Sequence, residues 1–326
     1  SAAGQNVQLR WRVGTDNGTF KEGFYFDDLI VTDGSVCACN VAPTTAAPFD
    51  FDRDGKTDIS VFRPSDNANE PDFSVRNSST NTNTNTIWGS VGDKAVNADF
   101  DGDFKTDYAV FRPSNGTWYI LNSADSTVKI TTFGLSTDKP VPADFDGDGK
   151  ADIGVFRSSD GVWYRLNSAN NQFFAQAFGQ NGDIPVQKDY DGDGKADLAV
   201  WRPSSGAWFV LKSANDQFSA VNFGTNGDKP VAGDYDGDGK ADYAVFRPSD
   251  GNWYLLRSQQ GFSVVNFGLS TDKPLQADFD GDGKADIAVF RPANNFWFYL
   301  KSSDSSFNWY PFGTNGATPI PSIFVE

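Results

Sequence analysis

The pattern of hydrophobic and polar positions along the chain predicts short strands and no helices. In the middle of the chain, residues 153–157 and 163–166 are two apolar runs separated by a Ser-Asp-Gly turn. A third run covers residues 173–178, and a shorter one, residues 140–143, precedes them all. Short apolar runs bounded by turn residues are typical of β-strands. We therefore predict four strands in each unit of about 45 residues, and no segment shows the periodicity of a helix.

The second strand of this unit is apolar on both faces, which predicts that it is buried. Ile153 and Val155 belong to one face, whereas Gly154 and Phe156 belong to the other. A strand that is buried on both sides belongs to a sheet lying between two other layers. The position of Gly154 is small in every equivalent strand, as close packing of sheets requires. Its occupants are Ser60, Ala109, Gly154, Ala199, Ala244 and Ala288.

An aspartate motif, Asp-x-Asp-x-Asp-x-x-x-Asp, lies between the first and second strands of each unit. It occurs six times, and we number these aspartate loops one to six. They begin at Asp50, Asp99, Asp144, Asp189, Asp234 and Asp278, at intervals of 49, 45, 45, 45 and 44 residues. A period of about 40–50 residues is typical of propellers, in which each repeat forms one blade. The sequence therefore predicts an all-β fold, a β-propeller with six complete four-stranded repeats.

The spacing of the aspartates predicts calcium sites. Ca²⁺ takes about 6–8 oxygen ligands at roughly 2.3–2.6 Å. Carboxylates at positions one, three, five and nine, with the carbonyl of position seven, supply such a set. Position six favours glycine, which stands there in every loop except loop two, where Phe104 replaces it. The predicted ligands are Asp50, Asp52, Asp54, Lys56, Asp58, Asp99, Asp101, Asp103, Lys105, Asp107, Asp144, Asp146, Asp148, Lys150, Asp152, Asp189, Asp191, Asp193, Lys195, Asp197, Asp234, Asp236, Asp238, Lys240, Asp242, Asp278, Asp280, Asp282, Lys284 and Asp286.

Two other interpretations of the aspartate loops are less favoured. An EF-hand requires Glu at position twelve and flanking helices, and the sequence predicts neither. Hairpin turns without metal are the second alternative, but such turns do not require four aspartates in each of six copies. We therefore expect about six Ca²⁺ ions, with the Asp99 site departing furthest from the motif.

The charge of the chain agrees with this interpretation. The chain has 43 acidic and 27 basic side chains, which gives a net charge of −16. The loops contain 6 × 4 = 24 of the acidic groups, so six Ca²⁺ ions would change the charge to −16 + 12 = −4. Without the ions the clustered carboxylates repel one another, so we expect calcium binding to be coupled to folding. The acidity argues against a nucleic-acid partner, and no apolar run approaches the roughly 20 residues of a membrane span.

The same chemistry suggests where the protein works. Calcium sites of millimolar affinity suit the extracellular medium. The sequence contains no Met, as expected of a processed chain or of a fragment. We therefore expect a secreted or cell-surface protein.

Residues 144–152 read Asp-Phe-Asp-Gly-Asp-Gly-Lys-Ala-Asp, and Phe-Gly at 178–179 ends the unit. Together they resemble the FG-GAP or VCBS repeats of integrin α-subunit propellers and of many secreted bacterial proteins, over residues 46–325. Arg-Pro-Ser at 112–114 stands where such repeats carry Gly-Ala-Pro, which resembles a bacterial subgroup. The resemblance implies a calcium-stabilised propeller used in binding or adhesion, usually without catalysis, with the loop aspartates as ligands.

The two ends of the chain are predicted to belong to an incomplete seventh blade. Residues 318–324 align with residues 139–145, which makes them the first strand of a further blade. Residues 7–13 and 24–31 read as two longer strands. These strands could complete a composite seventh blade, pair with a neighbouring molecule, or be the remnant of a preceding jelly-roll domain.

These assignments divide the chain into three parts: an N-terminal strand pair, residues 1–36; a linker, residues 37–47; and the propeller, residues 48–326. The linker contains Cys37 and Cys39, for which a strained local disulfide, a crosslink to another chain and two free thiols all stay open. Residues 77–86 alternate Asn and Thr, and we expect them to be a polar insertion that forms an exposed loop.

Two recurrent side chains could be structural or could contact a ligand. A Trp followed by Tyr or Phe recurs on the third strand, and an Arg recurs at the end of the second strand. Repetition in nearly every blade favours packing for the Trp and a structural role, such as pairing with an Asp, for the Arg. The tryptophans are Trp118, Trp163, Trp208, Trp253 and Trp297, and the arginines are Arg63, Arg112, Arg157, Arg202, Arg247 and Arg291.

Three functions follow from this fold. The first is a non-catalytic extracellular module for adhesion or self-assembly, for example a filament subunit, with another copy, an extracellular protein or a glycan as its partner. The second is a lectin-like propeller, or the accessory domain of a secreted enzyme. The third is an enzyme. Because the chain has no His, it lacks the means for Ser-His-Asp catalysis and for His-ligated metals. A carboxylate pair for glycoside hydrolysis and a lyase that uses Lys, Arg or Tyr stay open. Nearly every clustered Asp is assigned to calcium, however, and we therefore expect no catalysis.

Overall fold

The computed structural model describes residues 47–321, which form six four-stranded antiparallel sheets. The predicted N-terminal strand pair, most of the linker and both cysteines lie outside the described residues. Each sheet is one blade, and we number the blades by their aspartate loops. The all-β prediction, with four short strands in each repeat, is confirmed. The described residues include no helix that is long and apolar enough to cross a membrane.

The strands are short, and their order repeats from blade to blade. From the innermost strand outward, the blades are β24-β1-β2-β3, β4-β5-β6-β7, β8-β9-β10-β11, β12-β13-β14-β15, β16-β17-β18-β19 and β20-β21-β22-β23. The bounds are β1 Ile59–Phe62, β2 Phe73–Arg76, β3 Asn83–Thr86, β4 Lys94–Ala95, β5 Tyr108–Arg112, β6 Thr117–Leu121, β7 Val128–Thr132, β8 Lys139–Pro140, β9 Ile153–Arg157, β10 Val162–Leu166, β11 Phe173–Ala177, β12 Ile184–Pro185, β13 Leu198–Arg202, β14 Ala207–Leu211, β15 Phe218–Asn222, β16 Lys229–Pro230, β17 Tyr243–Arg247, β18 Asn252–Arg257, β19 Gly261–Asn266, β20 Lys273–Ala277, β21 Asp286–Arg291, β22 Phe296–Leu300, β23 Phe307–Pro311 and β24 Thr318–Pro319.

The hydrophobic core is divided among the contacts between neighbouring blades, which we call seams. Each seam contains one cluster of buried side chains. At the seam between blades three and four, for example, Phe156 and Trp163 of one blade pack with Val200 of the next. Within blade three, the small residue of the second strand lies close to the segment that follows the innermost strand. A Cβ atom added to Gly154 would lie 2.8 Å from the carbonyl oxygen of Val141.

The C-terminal strand closes the ring, and it does so differently from the prediction. In β24, Pro319 pairs with Val61 of β1, so this strand is the innermost strand of blade one. The expectation that it begins a seventh blade is therefore wrong for the described residues, which form six blades. The physical reason is that blade one begins at its aspartate loop and has no innermost strand of its own among the described residues. The C-terminal strand has the right sequence to occupy that place.

The six aspartate loops are also joined to one another in a ring. The N–H at position eight of each loop donates to the carbonyl oxygen at position one of the preceding loop, at 2.6–2.7 Å. The series closes on itself, because Thr57 of loop one donates to Asp278 of loop six at 2.6 Å. The innermost strands beside these loops face a shared cavity of about 550 Å³.

The polar segment in blade one is a turn followed by a strand. Residues 77–82 form the turn, but residues 83–86 form β3, which pairs with β2, so the prediction of a loop is wrong for residues 83–86. The extra residues lie between β1 and β2 instead. The paired residues Phe62 and Phe73 are 11 positions apart, whereas the equivalent Phe111 and Trp118 are 7 apart. This difference of four accounts for the longer first interval between the aspartate loops.

Candidate metal centres

Each aspartate loop brings three carboxylates together. In five loops, oxygen atoms from positions one, three and nine lie within 4.8 Å of one another, and the described residues contain one more such group. The five triads are Asp50-Asp52-Asp58, Asp99-Asp101-Asp107, Asp144-Asp146-Asp152, Asp189-Asp191-Asp197 and Asp234-Asp236-Asp242. In these five loops the structure therefore brings together three of the predicted ligands, whose role in binding calcium stays a prediction.

The aspartate at position one shapes the loop around itself. In loop three, Oδ1 of Asp144 accepts the N–H of Gly147 at 2.6 Å, and Oδ2 accepts the N–H of Gly149 at 2.9 Å. Both glycines have positive φ, 82° and 83°, a conformation that disfavours other residues. The carboxylate is therefore held by backbone donors, and the chain curls around it.

The aspartate at position nine ties the loop to the rest of its blade. In loop three, Asp152 is fully buried, and its Oδ2 accepts the N–H of Phe145 at 3.0 Å. Its Oδ1 accepts the N–H of Ser168, in the turn after the third strand, at 2.6 Å. An equivalent serine occupies this place in all six blades: Ser78, Ser123, Ser168, Ser213, Ser258 and Ser302.

The aspartate at position three leaves an oxygen atom without a partner. In five loops, one buried carboxylate oxygen at this position accepts no hydrogen bond within the part of the chain that the structure describes. These atoms are Asp52 Oδ1, Asp146 Oδ2, Asp191 Oδ1, Asp236 Oδ1 and Asp280 Oδ1. A buried carboxylate oxygen without a donor is costly. The side chains present therefore fit a cation at this point.

The electrostatics of the loops agree with that conclusion. Burial, followed by repulsion from neighbouring carboxylates, raises the pKa of Asp58 and of Asp286 to about 7. Burial likewise raises the pKa of Asp50 and of Asp278 to about 6. A raised pKa means that the surroundings disfavour the negative charge. A bound cation would remove this penalty.

The aspartate at position five lies outside the triads. In loop three, Asp148 accepts the N–H of Lys150 at 2.9 Å and the hydroxyl of Ser168 at 2.9 Å. The lysine at position seven lies against the preceding loop rather than turning away from it. A Cβ atom added to Gly147 would lie 2.8 Å from Cε of Lys195. Ligation by the carboxylate of position five and by the carbonyl of position seven stays a prediction.

Loops one and two each have a larger residue where the other loops have glycine, and these two residues contact each other. Position four of loop one is Arg53, with φ 64°, and position six of loop two is Phe104, with φ 67°. The guanidinium carbon of Arg53 lies 5.3 Å from the centroid of the Phe104 ring. Both oxygens of Asp101, at position three of loop two, accept backbone N–H groups. Loop two therefore has no unpartnered oxygen of the kind found in the other five, which agrees with its departure in sequence.

A family model described as an FG-GAP-like repeat matches residues 99–155 and 189–245. The chain contains FG-GAP-like repeats. Each matched segment begins at the first aspartate of a loop and extends into the second strand of the following blade, so each covers two aspartate loops. The family resemblance predicted from the sequence is confirmed. No curated protein matches the chain.

Solved structures share the propeller fold at low sequence identity. A virginiamycin B lyase from Staphylococcus aureus is 10% identical, with a TM-score of 0.51 over 80% of this chain and 88% of the lyase. A lectin from Agrocybe aegerita, described as recognising non-reducing terminal N-acetylglucosamine, is 18% identical, with a TM-score of 0.51 over 78% of this chain and 76% of the lectin. At these identities the similarity concerns the fold alone.

The tryptophans of the FG-GAP-like repeats are packing residues. Trp163 is buried, and its indole N–H donates to the carbonyl oxygen of Phe178 at 2.8 Å. The tryptophans of blades two, four, five and six are also buried and make the same hydrogen bond to the Phe of a Phe-Gly pair. The prediction that these rings pack between blades is confirmed, and their faces offer no platform for a sugar.

The arginines of the repeats pair with aspartates in the turn before the innermost strand. Arg157 donates from Nε and a terminal nitrogen to the two oxygens of Asp138, both at 2.9 Å, and its guanidinium lies 4.3 Å from the Tyr164 ring centroid. Blades two to six repeat this bidentate pair. The structural role predicted for these arginines is confirmed in five blades. In blade one, Arg63 instead contacts Glu70 at 3.4 Å.

Sequence reasoning did not single out the partners of these groups. The serine that anchors position nine follows Asn, Lys or Arg in every unit, so alignment of the six units would have revealed it. The aspartate that pairs with each arginine stands in the turn before the innermost strand, which the sequence analysis did not single out. In both cases the signal was the repetition of a polar residue.

Proposed function

We propose that the protein is a non-catalytic, calcium-stabilised propeller that works outside the cell in adhesion or self-assembly. The observation that supports this most strongly is the unpartnered carboxylate oxygen at position three in five of the six loops. Each of these oxygens lies in a cluster of three carboxylates, or in loop six beside the equivalent aspartates. Burial also raises the pKa of several carboxylates in these loops.

The donor chemistry favours calcium over a transition metal. The clusters offer only carboxylate oxygens, which are the ligands of hard cations. Asp144, Asp146 and Asp152 would hold the ion in loop three, and the other loops would use the same positions. When bound, Ca²⁺ neutralises carboxylates that otherwise repel one another. Extracellular calcium is abundant enough to fill sites of modest affinity, which is why we place the protein outside the cell.

The outer edge of the ring supports a role in binding. In blades two to six, the first or second residue of the outermost strand is a large apolar side chain that is at least half exposed. These residues are Val128, Phe173, Phe218, Phe262 and Phe307. Each outermost strand pairs with a neighbour on one side within its sheet. An exposed strand edge with apolar side chains favours association with another chain.

The first experiment measures calcium binding by titration calorimetry on the full chain after removal of divalent ions. We expect several ions per chain. Asp146→Asn and Asp191→Asn should each remove one site, whereas Asp216→Asn, in an exposed turn, should leave the stoichiometry unchanged. A full chain that binds no calcium would overturn the proposal.

The second experiment separates adhesion from self-assembly. Electron microscopy and sedimentation with calcium, and then with a chelator, report the particle size. Calcium-dependent filaments would support self-assembly. Single rings would exclude self-assembly under those conditions and favour adhesion to a different partner.

A further inference from the structure

Four of the six seams are closed by the same group of side chains, which we call the seam cluster, and the seam between blades one and two has its arginine pair and ring without the phenylalanine contact. At the seam between blades two and three the cluster consists of the Arg157–Asp138 pair, Tyr164 under the guanidinium, and the rings of Phe133 and Phe173 at 6.2 Å. The arginine pair and the ring beneath it recur in blades two, four, five and six. The contact between phenylalanines recurs at the next three seams.

The seam between blades six and one lacks this cluster. Ser74 pairs with Val61 in the same register in which Tyr164 pairs with Val155, so serine takes the place of the tyrosine. By the alignment of the two units, Asn83 takes the place of Phe173, and Ala317 that of Asp138. The backbone supports the equivalence of Ala317 and Asp138. The N–H of each donates to the carbonyl oxygen of the residue three positions before it.

These replacements leave a cavity of about 420 Å³ at this seam. Its volume lies within the range of roughly 300–1,000 Å³ that is usual for small-molecule sites. Blade one contributes Arg63, Ser74, Asn83 and Asn85 to its wall, and blade six contributes Asn295 and Phe312. The cavity is therefore lined mainly by side chains that form hydrogen bonds.

Several of these side chains have unused hydrogen-bonding capacity. Ser74, Asn83 and Asn85 make no side-chain hydrogen bond to the residues that the structure describes. Arg63 has one long contact, at 3.4 Å, to the half-exposed Glu70. The carboxylate in the wall, Asp72, is already satisfied by two backbone N–H groups, each at 2.7 Å.

The chemistry of the cavity suits a neutral ligand that both donates and accepts hydrogen bonds. An amide side chain offers donors and acceptors together, and a guanidinium adds donors. The wall contains one cation, Arg63, and one carboxylate, Asp72, so its formal charges cancel and leave no excess charge for an ion. Adjacent sugar hydroxyls also donate and accept, and the C–H groups of a sugar ring can pack against Phe312. We propose that the seam between blades six and one is a saccharide-binding site.

This proposal goes beyond the calcium-based function and can be tested separately from it. The full chain, with calcium present, is applied to an array of mammalian, plant and microbial glycans, and the oligosaccharide that binds most tightly is then titrated free in solution. The double variant Ser74→Tyr with Asn83→Phe restores the two missing rings of the seam cluster and fills the cavity. We expect its affinity to be more than tenfold weaker than that of the unaltered chain, an effect of about 1.4 kcal/mol or more.

Two further variants control for folding and for position. Asn85→Ala removes an exposed amide and should weaken binding by about three- to tenfold, even if the double variant folds poorly. Tyr164→Ser with Phe173→Asn makes the reverse change in blade three and should leave the affinity unchanged. Calcium stoichiometry should be the same in every variant, so a failure of this proposal is distinguishable from a failure of the calcium sites.

Three results would overturn the proposal. The unaltered chain could bind no glycan on the array. The filled variant, folded as judged by its unfolding temperature, could bind as tightly as the unaltered chain. The blade-three variant could lose affinity as much as the filled variant does, which would place binding elsewhere.

Discussion

The seam between blades two and three and the seam between blades six and one are alike at the aspartate loops and differ further out. At both, a backbone N–H of one loop donates to a carbonyl of the loop before it at 2.6 Å. Away from the loops, the first seam has an ion pair with a buried carboxylate and an edge-to-face contact between phenylalanine rings, whereas the second has a polar cavity. The comparison indicates that the loops close the ring and that the outer part of a seam is free to vary.

The largest expected effect tests the common part of the two seams. Removal of calcium should lower the unfolding temperature by more than about 20 °C, because each ion that binds only the folded state adds about 2.7 kcal/mol at 100 times its Kd. Differential scanning calorimetry with calcium, with magnesium and with a chelator measures this. Equal unfolding temperatures in all three would contradict a structural role for calcium.

The second largest expected effect tests the outer part of the seams, where the two seams differ. Arg157→Gln leaves the buried carboxylate of Asp138 without its partner and should cost about 3–5 kcal/mol of the free energy of unfolding. Arg63→Gln breaks only an exposed pair with Glu70 and should cost about 0–1 kcal/mol. Urea denaturation of both variants gives the comparison. Similar losses of unfolding free energy in the two variants would mean that the two arginines stabilise the protein to a similar extent.

The pH dependence should distinguish the calcium-free protein from the loaded one. Burial raises the pKa of Asp58 and Asp286 from 3.8 to about 7, and that of Asp50 and Asp278 to about 6. Between pH 4 and 7 the folded state therefore holds more protons than the unfolded state, so its stability should fall as pH rises. These four aspartates belong to loops one and six, whose seam should be the most sensitive.

Thermal unfolding in chelator at several pH values between 4 and 8 checks this sign. With calcium present the dependence should reverse, because protons compete with the ion for the same carboxylates. A calcium-free protein that became more stable from pH 4 to 7 would show that the folded state does not disfavour the charged form of these aspartates.

The smallest effect restores the regular arrangement at the exceptional seam. Ala317→Asp places a carboxylate where blades two to six have one, and should stabilise the protein by about 1 kcal/mol through a pair with Arg63. In that background, Arg63→Gln should become more costly than it is in the unaltered chain. A double-mutant cycle measures this coupling, and a coupling energy of zero would show that the two side chains do not meet.

Features that depend on local sequence could be predicted. The blade follows from apolar runs and turns that lie within one repeat, and the aspartate triads follow from a motif nine residues long. The packing of Trp163 and the structural role of Arg157 followed from repetition, because a residue needed at every seam appears in every unit.

Features that depend on distant residues could not be predicted in the same way. The sequence of residues 318–321 predicts an innermost strand, but no pattern within a repeat indicates which blade that strand completes. The aspartate at position five, Asp148, is held by Ser168, which is 20 residues away, so the spacing within the loop could not show that it lies outside the triad. The strand at residues 83–86 was missed because its side chains are polar, although an outer strand needs only backbone pairing.

The pairing of β24 with β1 joins residues about 258 positions apart, since Pro319 lies opposite Val61. During synthesis, blade one therefore lacks its innermost strand and has only three strands until all of blade six has been made. Contacts over such distances slow folding, although the entropy of closing the chain grows only slowly with its length. For that period the inner edge of β1 is a free strand edge, and a second nascent chain could supply the missing strand in its place.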